Sequence, residues 1–131
     1  LRSLPARMAW HCRNARALVE FLAAHPKVAA VHWPGLPAHR NHAIAAAQMS
    51  EFGAMFSLQV KGGREAALRF AGALRLALNA TSLGGPETLV EHRASVEGAN
   101  RQSPDDLLRV SVGLEHPDDL IADFSRALDA A

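Results

Sequence analysis

The stretch from Leu107 to Val112, with the sequence LLRVSV, alternates between two kinds of side chain. Side chains point to opposite faces of a β-strand at successive positions, so its leucine and valines from position 108 onward share one face. Arg109 and Ser111 then lie together on the other face. This pattern predicts a half-buried strand that packs an aliphatic face against a core and presents an arginine from a fixed backbone position.

The remaining elements predicted from the sequence surround this strand on both sides in the chain. Residues 54–60 alternate in the same way, and Val28 to Trp33 is a third strand candidate that is closed by Pro34-Gly35. Apolar residues at intervals of three and four predict helices from Leu4 to His25-Pro26, at 42–49, after Gly62-Gly63 as far as Leu74, and from Pro117 onward. The polar segment 93–106 is predicted to be a loop. Together they predict one α+β domain over residues 1–131, with helices packed on a small, mainly antiparallel sheet.

The composition excludes several classes of function. The chain has 131 residues, of which 49% are hydrophobic and 21% charged, and its net charge is +1. Because the acidic and basic residues are interspersed, we expect neither a nucleic-acid partner nor a membrane surface. Cys12 is the only cysteine. It cannot form an internal disulfide, and we expect a buried, unreactive thiol in a cytoplasmic protein.

Two motifs in the last third of the chain resemble a known family. They are SLGGPETLVEH, from Ser82 to His92, and LRVSVGLE, from Leu108 to Glu115. Together they resemble the C-terminal domain of the Cys/Met-metabolism (transsulfuration) family of pyridoxal-phosphate enzymes, and weaker similarity extends over nearly the whole chain. The resemblance implies the small domain of a fold-type-I enzyme that forms homotetramers. It also implies that pyridoxal 5'-phosphate is bound by a larger domain, which is absent from this sequence and would precede Leu1.

The same resemblance assigns roles to three residues. By spacing alone, Arg109 is either a solvent-facing strand arginine or a rigid fork of donors for a carboxylate. The family's arginine-x-Ser-x-Gly pattern implies that Arg109 binds the α-carboxylate of an amino-acid substrate. Ser82 is implied to help orient that carboxylate. Thr81 occupies a position where several cystathionine-processing members carry glutamate, a residue tied to the choice between β- and γ-chemistry.

The sequence offers no catalytic, cofactor-binding or metal-binding residue of its own. Pyridoxal-phosphate chemistry requires a lysine Schiff base, and neither Lys27 nor Lys61 lies in the serine/threonine-x-x-lysine context of the family. We therefore expect this chain to be inactive alone. His39 and His42 have helical spacing but lack a third ligand that would predict a metal site. Glu91 and His92 are interpreted as structural hydrogen-bonding residues; Arg93 follows them, where the family's Glu-His-Pro signature has proline.

These observations predict a substrate-binding domain of a cystathionine γ-synthase-like or γ-lyase-like enzyme. Such an enzyme eliminates or replaces a group at the β or γ carbon of a sulfur- or homoserine-type amino acid, with cystathionine, homocysteine, cysteine or an acyl-homoserine as the class of substrate. Methionine γ-lyase and homoserine-ester sulfhydrylase are alternatives within the family. A non-catalytic, stand-alone binding module is the alternative from another class.

Overall fold

The computed structural model describes residues 2–131, which form one sheet with helices packed against it. The strands are β1 (Val28–His32), β2 (Met55–Val60), β3 (Leu78–Asn79), β4 (Leu89–His92) and β5 (Leu107–Ser111). The helices are α1 (Leu4–Ala23), α2 (His42–Gln48), α3 (Gly63–Ala73), α4 (Arg93–Glu97) and α5 (Pro117–Asp129), with a 3₁₀ turn at Gly98–Asn100.

The sheet has the order β1-β2-β5-β4-β3 and is mainly antiparallel, as predicted. Strands β2 and β4 flank β5 in antiparallel register, and only the short edge strand β3 runs parallel to its neighbour β4. Arg109 is paired with Ser57 on one side and with Glu91 on the other. These three side chains therefore lie in one row on the same face of the sheet.

Helices α1, α3 and α5 cover the aliphatic face of the sheet. Leu58, Leu108 and Val110 are fully buried beneath them. Phe70 of α3 and Phe124 of α5 meet edge to face, with ring centroids 5.4 Å apart. The core therefore forms between this face and the three helices, so the row that contains Arg109 lies on the opposite face.

Local sequence signals explain where the last helix begins. Pro117 occupies the first turn of α5, where no backbone N–H is needed, and the ring of His116 accepts a hydrogen bond from the N–H of Asp118. Asp118 and Asp119 lie in the first turn and complement the positive end of the helix. Cys12 is buried on α1, and this burial raises the pKa of its thiol.

Two of the predictions about secondary structure were wrong. The segment 93–106 is not only a loop, because it begins with α4 and the 3₁₀ turn. Strands β3 and β4 were not predicted. In β4 the polar residues Glu91 and His92 are buried together with Val90, because arginine side chains pair with Glu91 and both Ser95 and the carbonyl of Asp105 bond His92. This burial hides the alternation that marks a strand.

Within residues 2–131, no helix has both the length and the apolar character needed to cross a membrane.

Candidate functional site

Arg109 projects from the centre of β5 on the face opposite the core. Its Nε lies 3.1 Å from Oε1 of Glu91, and its Nη2 donates a 3.1 Å hydrogen bond to the carbonyl oxygen of Ser82. The side chain remains 27% exposed. The guanidinium is thus fixed on two sides, while Nη1 and the outer edge of the fork are available to a ligand.

Ser82 has an unusual backbone conformation at the point where it meets Arg109. Its φ is +102°, and within residues 2–131 it is the one residue other than glycine with a positive φ. The backbone of a residue that carries a Cβ is strained at positive φ. Such strain persists where the surrounding contacts impose the conformation. In this conformation the Ser82 carbonyl accepts a hydrogen bond from the guanidinium. The sequence predicted that Ser82 would belong to the site, but it did not predict this backbone contact.

The two sequence motifs are joined to each other by side-chain hydrogen bonds. Ser111 Oγ accepts from the N–H of Gly84 (3.0 Å), and Thr88 Oγ1 accepts from the N–H of Gly113 (2.8 Å). Glu115 then accepts from both the N–H and the hydroxyl of Thr88, at 2.6 and 2.7 Å. The second motif therefore holds the loop that carries Ser82 against the end of β5.

The backbone of Gly113 lies in close contact with the loop that contains Pro86. A Cβ at this position would lie 2.3 Å from the carbonyl oxygen of Pro86 and 2.5 Å from Oε2 of Glu115. The neighbouring N–H of Leu114 donates to the same Pro86 carbonyl at 2.7 Å. From the other side, Asn14 of α1 donates to the Gly113 carbonyl at 3.1 Å. A glycine is required here because both the loop and α1 pack on its backbone.

Glu91, His92 and Arg93 lie at the end of β4 beside Arg109. Glu91 is almost fully buried, and its Oε1 also contacts Nη1 of Arg93. His92 donates from Nε2 to the carbonyl oxygen of Asp105 (2.6 Å), and its Nδ1 is hydrogen-bonded to Ser95 Oγ (2.7 Å). Both ring nitrogens of His92 are therefore engaged in local structure, as interpreted from the sequence.

Thr81 is exposed next to Ser82, and within residues 2–131 its side chain makes no hydrogen bond. The structure therefore brings Arg109 and Ser82 together and leaves Thr81 at the rim. No signal in the sequence placed Glu91 at the site. Its register position opposite Arg109 becomes clear only once β4 is recognised as a strand.

The lysines do not fit the role of a cofactor lysine at this site. Nζ of Lys27 donates to the carbonyl oxygens of Leu128 and Asp129, at 2.9 and 3.2 Å, and so caps the end of α5. Ser57 is the strand partner of Arg109, and Lys61 lies four residues further along the chain. Four residues of extended chain span about 13 Å. Lys27 is therefore engaged at the end of α5, and Lys61 follows directly after β2.

The two histidines at helical spacing, His39 and His42, have backbone partners. His39 accepts from the N–H of Asn41 at 3.2 Å, and Nδ1 of His42 is hydrogen-bonded to the carbonyl oxygen of Pro34 at 2.7 Å. Within residues 2–131, no group of three or more potential ligands is placed to hold a metal ion.

The sheet presents an arginine from a central strand beside a glycine-containing loop. This fold is that of the small domain of fold-type-I pyridoxal-phosphate enzymes. The family model "Cys/Met metabolism PLP-dependent enzyme" matches residues 1–129. The chain belongs to this family.

Its relatives carry more than one name. A cystathionine gamma-synthase from Mycobacterium tuberculosis is 47% identical over 98% of this chain and 34% of its own length. An L-methionine gamma-lyase from Fusobacterium nucleatum is 43% identical over 98% of this chain and 35% of its own. The crystal structure of cystathionine gamma synthase from Xanthomonas oryzae pv. oryzae, in complex with aminoacrylate and cysteine, is 40% identical with a TM-score of 0.93, over 99% of this chain and 36% of that one. The chain thus spans about a third of the length of the proteins it matches.

Proposed function

We propose that this chain is the substrate-binding C-terminal domain of a pyridoxal-phosphate transsulfuration enzyme. The enzyme would eliminate or replace a group at the β or γ carbon of a sulfur- or homoserine-type amino acid. In this proposal Arg109 binds the α-carboxylate of the substrate, and Ser82 and Thr81 flank it.

The geometry of Arg109 is the observation that carries the proposal. A guanidinium recognises a carboxylate best through two parallel N–H donors held in one plane. Contacts with Glu91 and Ser82 fix that plane, Nη1 has no hydrogen-bond partner within residues 2–131, and the side chain remains partly exposed. Because the fork is already oriented, little side-chain entropy is lost when a carboxylate binds.

The cofactor would be supplied by the rest of the enzyme. Pyridoxal phosphate, when bound, acts as an electron sink for carbanion chemistry at the α carbon. This chain's share of the work is to hold the carboxylate end of the substrate, so that the bond to be broken points in a fixed direction. Arg109 performs this on one side of the carboxylate, and the exposed hydroxyl of Ser82 lies next to it.

The partner of the domain would be its own larger domain, and we expect the complete enzyme to be a homotetramer. Support comes from apolar side chains on the surface of α1 and α2, including Leu4, Met8, Trp10 and Ile44, which are between 37% and 58% exposed. Apolar patches of this kind are typical of interfaces. Without that partner the chain should be inactive, because neither lysine lies beside Arg109. The cytoplasmic location stays a prediction.

Methionine γ-lyase is the second candidate within the same class. It is favoured by the L-methionine gamma-lyase relatives, whose identity of 43% is close to the 47% of the cystathionine gamma-synthases. The two candidates differ in the substrate they turn over. Parallel assays of the complete enzyme with cystathionine, methionine and acylated homoserines would separate these activities from each other and from a homoserine-ester sulfhydrylase.

Replacing the arginine tests the proposal directly. In the complete enzyme, Arg109→Ala should raise the Michaelis constant roughly a hundredfold, because about 3 kcal/mol of charge-assisted binding is lost. Arg69→Ala removes an exposed arginine on α3 and serves as a control that should leave kinetics unchanged. Michaelis constants of the Arg109→Ala variant within a fewfold of wild type would overturn the assignment.

A further inference from the structure

Arg109 is one member of a chain of ionic contacts that extends away from the site. Oε1 of Glu91 contacts both Nε of Arg109 and Nη1 of Arg93. The other terminal nitrogen of Arg93, Nη2, donates to Oε1 of Glu97 at 3.1 Å. Glu97 in turn accepts from the N–H and hydroxyl of Ser103, at 3.0 and 2.6 Å.

We propose that Arg93 is a positioning residue for substrate binding, which shares the charge of Glu91 and so keeps Arg109 oriented toward the substrate carboxylate and not neutralised by Glu91 alone. This inference rests on the proposed function, since it assigns a residue to the same carboxylate site.

The burial of Glu91 provides the physical reason. Its side chain is only 4% exposed, so its negative charge is poorly screened by water and must be balanced by nearby cations. If Arg109 were the single partner, the two charges would cancel and the site would attract a carboxylate weakly. With Arg93 on the same oxygen, the charge of Glu91 is shared between two guanidinium groups, and Glu97 contacts the other terminal nitrogen of Arg93. The positive charge of Arg109 then remains available to a ligand.

Arg93 is itself held in place by a rigid partner. Glu97 is fixed by the backbone N–H groups of Gln102 and Ser103 as well as by the Ser103 hydroxyl. The planar guanidinium of Arg93 spans the two carboxylates, with one terminal nitrogen on each. A lysine could not bridge both in this way, because its single ammonium has no fork.

The position of Arg93 in the chain makes it easy to replace. It is the first residue of α4, where a backbone N–H has no partner within the helix and where proline is tolerated. The variant Arg93→Pro therefore introduces the proline of the family's Glu-His-Pro motif, and it deletes the guanidinium without breaking the helix. Arg93→Ala deletes it without constraining the backbone, so agreement between the two variants excludes a backbone effect.

The experiment compares two ligands that lack a leaving group at the β or γ carbon, in the complete protein loaded with pyridoxal phosphate. L-Norleucine has the α-carboxylate, and L-norleucinamide has an uncharged amide in its place. Titration calorimetry measures the dissociation constant of each ligand. For norleucine it should rise about fivefold in Arg93→Ala and in Arg93→Pro, which is the loss expected for one partly buried charge contact. For norleucinamide it should stay within about twofold of the wild-type value. Arg93→Lys should give an intermediate value.

Arg101→Ala is the matched control, because Arg101 is an arginine of the adjoining segment that pairs with Asp105 rather than with Glu91. It should leave both ligands unaffected. Equal weakening of both ligands in the Arg93 variants would make Arg93 a merely structural residue and overturn the inference, as would unchanged binding of norleucine. If Arg109→Ala also binds norleucine normally, it is the proposed carboxylate site itself that fails.

Discussion

The guanidinium of Arg109 donates through Nη2 to the carbonyl oxygen of Ser82, 3.1 Å away, and Ser82 holds a left-handed φ of +102° to offer that oxygen. The contact joins a central strand to a loop 27 residues earlier in the chain. It relates a strained backbone to the side chain that we assign to the substrate carboxylate. Strain of this kind at a site is consistent with a backbone held for binding rather than for stability.

The conformation of Ser82 predicts an unusual order of stability among its variants. A Cβ in the left-handed region costs roughly 1–2 kcal/mol, so Ser82→Gly removes strain that Ser82→Ala retains. Glycine also loses more backbone entropy on folding, which offsets about 0.4–1 kcal/mol of that gain. We expect Ser82→Gly to be at least as stable as Ser82→Ala in urea unfolding of the chain. A clearly more stable alanine variant would contradict the strain argument.

The close contacts of Gly113 predict a large loss of stability from a single methyl group. In Gly113→Ala the new Cβ would lie 2.3 Å from the Pro86 carbonyl, so the 82–88 loop must move and its hydrogen bonds to β5 must weaken. We expect a loss of about 3 kcal/mol in the free energy of unfolding.

Gly72 provides the matched control for this change. It lies in α3, and apart from the backbone of that helix and the adjacent residues no described atom is within 4 Å of a Cβ built there. Gly72→Ala should therefore stabilise the chain by about 0.5–1 kcal/mol, through helix propensity alone. If the two substitutions had the same effect, packing around Gly113 would not be the cause.

Strand β5 could be predicted because its environment follows from its own sequence. Val110 and its apolar neighbours face the helices, and Arg109 faces the other way, so a period of two is visible without any knowledge of the partners. Strand β4 has no such pattern. Glu91 and His92 are buried by groups from elsewhere in the chain, including Asp105, and those contacts exist only after folding.

The site could be predicted in the same partial way. The motif spacing and the family resemblance pointed to Arg109 and Ser82, and the structure places them in contact. The left-handed conformation of Ser82 has no signal in the sequence, because serine gives no warning of a positive φ. Nor does the sequence show that Arg93 and Arg109 share one carboxylate, since this depends on how β4 and β5 are aligned.

Glu97 is predicted to stay ionised in mild acid. The hydroxyl and N–H of Ser103, together with the N–H of Gln102 and the side chain of Arg93, lower the pKa of this carboxyl from 4.5 to about 2. A carbon-13 NMR titration should thus find the Glu97 carboxylate ionised at about pH 3, well below its ordinary midpoint. Ser103→Ala removes the largest contribution and should move the midpoint upward. A midpoint near 4.5 in the unsubstituted chain would contradict the network.

Asp123 of α5 is predicted to make the stability of the chain depend on pH. Its carboxylate accepts from the backbone N–H groups of Arg75, Leu76 and Ala77, at 2.9 to 3.0 Å, and is paired with Arg126. Burial would raise the pKa of Asp123, but these donors outweigh it and hold the pKa below its ordinary value. The carboxylate thereby joins α5 to the segment that leads into β3.

Because the folded pKa is lowered, the stabilisation is fully present above the unfolded value of about 3.9 and is lost as the pH falls through the folded one. Asp123→Asn should therefore reduce the free energy of unfolding by about 3 kcal/mol at pH 7, since the amide cannot accept all of these bonds. The difference between wild type and variant should shrink at about pH 2.5, because below the unfolded pKa of about 3.9 the unfolded chain takes up a proton and the contribution of the folded charge falls. Urea unfolding at both pH values measures it. A difference that is equal at the two pH values would show that Asp123 stabilises the fold by packing and not by its charge.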